Sequence, residues 1–177
     1  MMEIINYGII LRKITLNDME LMRTWRNSDF VKKHMVFKSY LTREMQIDWY
    51  LKINNINNYY FIIYKENKPI GITNLKDIDF SNGTAESGIF MYSEEYTNSD
   101  LGVRATFSLL DFAFLTLKLN KLRQTIIVEN KAAMNFNKSL GVKITENKDG
   151  ICKGELVKED YYKKTLKIRN YINKYIS

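Results

Sequence analysis

Between Glu86 and Val142 the spacing of apolar residues changes character several times, and that order limits what the chain can fold into. Thr84 to Met91 alternates like a strand and follows Asn82-Gly83, a pair that favours a tight hairpin turn because both positions tolerate positive φ. The loop Tyr96 to Gly102 is small and polar apart from Leu101. It gives way to a helical stripe, Val103, Phe107, Leu110, Phe114 and Leu117, that predicts a face buried against a sheet. Leu122 to Val128 is β-branched enough for a central strand. Asn130 then precedes a short helix with Ala133, Phe136 and Leu140 on one side, and Gly141 supplies its left-handed cap. Strand, glycine-containing loop, helix, strand, short helix: the order is that of a cofactor-binding βαβα unit.

The flanking sequence supplies the rest of a sheet. Tyr7 to Lys13 is expected to be a first strand, and Thr15 with Asp18 three residues later reads as a variant capping box. Met19, Met22 and Trp25 define one buried helical edge. Ser28 to Tyr40 is less periodic and is expected to be a loop with one helical turn. Thr42 caps a second helix whose face is Met45, Trp49 and Ile53. The asparagine-rich run 54–58 breaks it, because Asn competes for backbone hydrogen bonds. Tyr59 to Tyr64 and Ile70 to Ile78 form an expected antiparallel pair, with Pro69 at the start of its strand, where a missing donor is tolerated. Val142 to Glu146 and Ile151 to Val157 are expected strands. Tyr161 to Ile168 is read as the last strand, and 168–177 as a basic helical tail.

Composition excludes several classes. A length of 177 residues with 45% hydrophobic content suits one domain with a real core. The single Cys152 rules out an internal disulfide framework and agrees with a reducing cytoplasm. No apolar run approaches the ~20 residues of a membrane span, and no signal-peptide pattern opens the chain. A formal charge of +7 would suit an RNA-binding module or a phosphorylated ligand, since clustered Lys and Arg are the footprint of phosphate binding. The joint excess of Asn, Ile, Lys and Tyr points instead to a compositional bias that leaves lysine on a solvated surface. Neither a nucleic-acid nor a membrane partner is therefore expected.

With Gly102 opening a helix, Ala105 one turn on, the run Leu110-Asp111-Phe112-Ala113-Phe114, and Glu129-Asn130-Lys131-Ala132-Ala133 leading to Leu140-Gly141, the segment resembles the GCN5-related N-acetyltransferases, within them the RimJ/RimL-like branch. The resemblance covers roughly residues 8–146. It implies an α/β fold with a mixed, mostly antiparallel sheet flanked by helices, and a strand pair that splays apart. It also implies an acetyl-CoA-dependent N-acetyltransferase that needs no metal, acts on a small-molecule amine and forms a homodimer. In such a fold Ile89, Phe90 and Met91 would pair with the pantetheine arm. Thr97, Asn98, Ser99, Leu101, Gly102 and Val103 would bring backbone donors to the pyrophosphate, where the helix dipole favours anions. Asn130 would be a further polar contact; its alternative role is a plain helix cap.

The chain departs from the family at two places. Asp100 stands where the pattern has glycine, and a carboxylate ~6 Å from a phosphate charge opposes it by about 3 kcal/mol at an effective dielectric of ~20. The effect disappears if Asp100 is paired or points outward. Asn137 stands where many members carry a tyrosine that protonates the leaving thiolate; it is expected to donate a hydrogen bond or to be an ordinary helical Asn. For the base, alternation sets Glu86 on an otherwise uncharged strand face, with His34 as competitor because its ordinary pKa lies nearer neutrality. The run Trp25-Arg26-Asn27, followed by Met35 and later by Glu44 and Trp49, resembles the nucleotide-amino-sugar acetyltransferases, in particular those acting on the pseudaminic acid precursor, and Trp25, Arg26, Met35 and Phe37 are the expected acceptor-site residues. That likeness implies an amino sugar on a nucleotide carrier, with Arg26 on the phosphates and Met35 as an apolar wall. Gln46 replaces a histidine of that group. Protein N-termini, polyamines and aminoglycosides remain alternative acceptors, and a non-catalytic acyl-CoA-binding or basic RNA-binding module on the same fold remains an alternative function.

Overall fold

The computed structural model describes residues 2–176 and builds one eight-stranded sheet. Its strands are β1 (Glu3–Asn6), β2 (Ile9–Lys13), β3 (Tyr59–Lys65), β4 (Lys68–Asp79), β5 (Thr84–Met91), β6 (Lys121–Ile127), β7 (Lys143–Lys148) and β8 (Ile151–Val157). Their order is β1-β2-β3-β4-β5-β6-β8-β7, and every neighbouring pair is antiparallel except β5 and β6. A parallel pair needs a crossover. Here it is α4 (Glu94–Thr97) and α5 (Leu101–Asp111), the latter running on through an i→i+5 turn at Phe112–Thr116.

One face of the sheet buries Ile9, Leu11, Phe61, Ile63, Leu75, Ala85 and Leu122 beneath Ala105, Phe107 and Leu110 of α5. The other carries Ile62 and Ile72 under Met19, Met22 and Trp25 of α1 (Met19–Asn27), with α2 (Asp29–Lys32) and α3 (Arg43–Ile53) alongside. The expected capping box is formed: Asp18 Oδ2 accepts from the Thr15 amide at 2.7 Å and hydroxyl at 2.9 Å. α3 turns slightly from its expected face, leaving Met45 41% exposed and burying Gln46. α6 (Lys131–Leu140) ends at Gly141 with φ 103, and a Cβ there would also press on the Asp160 carbonyl oxygen at 3.2 Å.

Two expectations fail. Tyr7-Gly8 is a turn, not the start of β2; both residues have positive φ (53 and 66), and β1 is an added edge strand that the alternation from Tyr7 concealed. Tyr161 to Ile168 is not a strand either but the first half of α7 (Lys158–Ile176). Tyr161, Thr165 and Ile172 are buried at helical spacing, and Arg169 lies between the last two to meet Asp111. The expected basic tail from 168 is the continuation of that helix; Ser177 lies outside the described residues.

Candidate active site

β5 and β6 share only three rungs, Thr84↔Lys121, Ala85↔Leu122 and Glu86↔Arg123. Beyond Glu86, β5 stays paired to β4 as far as Met91, and β6 stays paired to β8 as far as Ile127. Held only from their outer sides, the two strands part. Ser87 to Phe90 are half-buried although they lie in the middle of an eight-stranded sheet. The expected splayed pair is present, and it opens a slot with unpaired strand edges that an extended ligand can join.

The mouth of the slot faces the N-terminus of α5. The amides of Thr97, Asn98 and Ser99 already bond the carbonyls of Ser93, Glu94 and Tyr96. Leu101 N–H donates to Ser99 Oγ at 3.3 Å. Among the described residues the Gly102 and Val103 amides have no protein acceptor, as expected of the first turn of a helix. A Cβ on Gly102 would meet only Met91, at 3.9 Å from Cγ. The donor set therefore fits a pyrophosphate. Asp100 does not stand unpaired beside it: Arg104 Nε donates to its carboxylate at 2.9 Å.

Asn130 caps α6, its Oδ1 accepting from Ala133 N–H at 3.0 Å. Its Nδ2 therefore faces His34 Nδ1 at 3.3 Å, which makes that ring nitrogen the acceptor and puts the proton on Nε2. Burial, then the charge of Lys33, lowers the His34 pKa and favours this neutral form. Two residues 96 apart in sequence thus join the loop after α2 to the end of β6. Asn137 donates through Nδ2 to the Ala133 carbonyl at 2.9 Å.

On the α1 face, Glu86 pairs with Lys76 Nζ at 3.2 Å. Beyond it the register sets Tyr60 opposite Asn74 and Asn74 opposite Gly88. A Cβ on Gly88 would approach Asn74 Oδ1 to 2.9 Å, so a side chain there would displace the Asn74 amide. Arg26 is half-buried, and its Nη1 is sealed from solvent with no hydrogen-bond partner. Burial depresses its pKa, while Tyr60 acts in the opposite sense. Tyr60 is pushed up to about 12, first by burial and then by the charges of Asp77 and Glu86, so its hydroxyl stays a donor at neutral pH. Trp49 sets its ring edge-on to Tyr60 at 4.9 Å. Trp25 is 8% exposed and stacks on Tyr92 at 4.8 Å. Met35 is half-buried and Phe37 is 50% exposed, both on the loop after α2. A separate cavity of about 350 Å³ lies between α1 and α3, lined by Met19, Glu20, Arg23, Arg43 and Gln46, away from the slot.

Residues 9–143 match the sequence profile described as an acetyltransferase (GNAT) domain. The chain belongs to that family. The uncharacterized N-acetyltransferase p20 of Bacillus licheniformis is 26% identical over 175 residues, 92% of this chain and 94% of that protein. Among solved structures, apo FdhC, a nucleotide-linked sugar GNAT, superimposes with a TM-score of 0.80 at 21% identity, covering 97% of this chain and 98% of that one. Spermidine N-acetyltransferase from Vibrio cholerae, in complex with CoA and spermine, gives a TM-score of 0.78 at 18% identity over 88% of this chain and 99% of that one. The protein is therefore a GNAT N-acetyltransferase with acetyl-CoA as acyl donor. Sequence reasoning singled out Glu86 and the α5 N-terminus, which border the slot, but not Tyr60, Asn74, Ser87 and Gln124, which the register and the Gln124–Ser87 bond set around it. Gln124 was visible in principle, as a polar residue at an inward position between Leu122 and Ile126.

Proposed function

We propose that the acceptor is a primary amine on a small molecule with an anionic remainder, an amino sugar on a nucleotide carrier. The observation that carries this reading is Arg26, a half-buried guanidinium with one nitrogen shut off from both water and protein. A buried donor without an acceptor costs about 1–3 kcal/mol, more for a charged group. A phosphate or carboxylate supplies that acceptor. A polyamine brings more positive charge to a face that already holds Arg26 and Lys76. The likeness in shape to a nucleotide-linked sugar GNAT supports the reading, and the equal likeness to a spermidine enzyme makes the polyamine the rival to test.

Acetyl-CoA supplies the activated acyl group. The chain's own residues do the remainder. Gly102 and Val103 hold the pyrophosphate, and Ile89 to Met91 hold the arm by backbone pairing. Trp25 and Met35 shape the acceptor side, the Tyr60 hydroxyl donates to the acceptor, and Glu86 takes the amine proton. A well-held pair of reactants can lower the barrier by about 7–11 kcal/mol at best.

An acceptor panel at saturating acetyl-CoA tests the reading. Nucleotide-linked amino sugars are expected to be turned over and spermidine not. Arg26→Met is expected to raise the sugar KM about tenfold or more, on the order of 1.5–3 kcal/mol for a hydrogen bond to a charged group. Turnover of spermidine that is indifferent to Arg26→Met overturns it. Sedimentation of the same preparations reads out the homodimer that the resemblance implies.

A further inference from the structure

The throat of the slot holds a polar pair that neither the pyrophosphate nor the acceptor accounts for. Ser87 and Gln124 are the first residues past the last shared rung of β5 and β6. Gln124 is 6% exposed, and its Nε2 donates to Ser87 Oγ at 3.2 Å across the parting strands. Its Oε1 is sealed from solvent and receives no hydrogen bond. Ser87 already accepts from Gln124, so its hydroxyl proton is free to be donated elsewhere. The pair thus presents one open donor and one open acceptor side by side.

Strand alternation decides which ligand they address. Ala85 and Leu122 point into the core under α5, so Ser87 and Gln124, two residues on, face that same side. Glu86 faces the other, toward α1 and Tyr60. Consecutive residues therefore serve opposite sides of the slot, the amine on one and the acyl carrier on the other. Met91 packs beside Gly102 at the pyrophosphate end, and four residues of strand at ~3.3 Å each carry the line from Met91 to Ser87, about 13 Å. An extended pantetheine arm covers that length and ends in an amide N–H two carbons from sulfur.

We propose that Ser87 and Gln124 are the seat of the carrier's thiol, an inference that rests on the acetyl-transfer reading. The Ser87 hydroxyl donates to the sulfur, and Gln124 Oε1 accepts from the neighbouring amide N–H. Asn137 occupies the position where the family pattern has its acid, but its Nδ2 is turned onto its own helix, donating to the Ala133 carbonyl. As the amine nitrogen bonds the acyl carbon, the carbon–sulfur bond breaks and its electron pair stays on sulfur. The amine proton passes to Glu86. Ser87 keeps its own proton and stabilises the thiolate by a hydrogen bond, and water protonates that thiolate after release.

Calorimetric titration with coenzyme A and with desulfo-coenzyme A, at pH 7 and pH 9.5, tests the seat without turnover. A one-unit fall in the bound thiol's pKa from about 8.5 makes the preference for coenzyme A over its desulfo analogue rise about sevenfold across that range. The rise is expected to vanish in Ser87→Ala and persist in Ser87→Thr, with unchanged desulfo-coenzyme A affinity showing that each variant is folded. In turnover, Ser87→Ala is expected to lower kcat about tenfold at constant KM for acetyl-CoA. A rise that survives Ser87→Ala overturns the seat and leaves acetyl transfer standing. Wild-type protein that binds neither ligand overturns both.

Discussion

At the scale of single residues, Glu86 and His34 competed for the role of base, and their surroundings separate them. Glu86 stands on the last shared rung of the splayed pair and adjoins Tyr60 and Gly88, where the proposed reading brings the amine to the acyl group. His34 is exposed and bonded to Asn130 at the far end of β6, where partial desolvation and then the charge of Lys33 lower its pKa. Glu86→Gln is accordingly expected to lower kcat about 10²-fold or more, the scale of general base catalysis, with little change in either KM. His34→Gln is expected to change stability rather than the chemical step. A His pKa lowered on folding favours the neutral form. The contribution of His34 is full above its unfolded pKa of ~6.5 and is lost as pH falls through the folded value. Wild-type protein should therefore lose its melting-temperature advantage over His34→Gln as the pH is lowered past 6.5. Equal kcat in Glu86→Gln and wild type would remove Glu86 from the mechanism.

At the scale of elements, the N-terminus of α5 reconciles a carboxylate with the anion site proposed there. Asp100 lies one residue before the helix, and Arg104, one turn later, holds it in an i,i+4 pair. Removing the cation in Arg104→Met exposes the bound pyrophosphate to the Asp100 charge. Because Asp100 is half in solvent, screening trims the ~3 kcal/mol of the unscreened estimate, and a loss of about tenfold in coenzyme A affinity is expected at low salt. Added salt should shrink the loss, and Asp100→Asn in the same chain should restore binding. An unaltered Kd in Arg104→Met would show that Asp100 never felt the ligand. This element also shows what the sequence could convey. β5, α5, β6 and α6 are set by local signals: alternation, a helical stripe, an asparagine cap and a terminal glycine. Asp100's partner, four residues on, was within local reach. The bonds of Asn130 to His34 and of Gln124 to Ser87 span 96 and 37 residues, and no local pattern announces them.

At the scale of the whole molecule, one buried carboxylate joins parts that the sequence keeps far apart. Asp111, at the end of α5, accepts from the Tyr7 hydroxyl at 2.6 Å, from Tyr162 at 3.2 Å, and from Arg169 Nη1 and Nη2 at 2.7 and 2.9 Å. The β1–β2 turn, α5 and α7 therefore meet on a single residue. Arg169 also lies within 6 Å of the ring centres of Tyr7, Phe107, Tyr161 and Tyr162. This arrangement explains both places where reading from sequence failed. Tyr7 keeps a left-handed backbone with its hydroxyl anchored on Asp111, and the helix through Tyr161 to Ile168 carries Arg169 onto the same carboxylate. Breaking a buried pair from one side leaves an uncompensated charge, at about 3–5 kcal/mol. Asp111→Leu and Arg169→Met are each expected to lower unfolding free energy by about that much, read from urea midpoints at constant slope. The double variant removes both charges and should be destabilised by less than the sum, with a coupling of about 0.5–3 kcal/mol. Strict additivity would mean that α7 is held by its apolar stripe alone and that Asp111 merely lies near it.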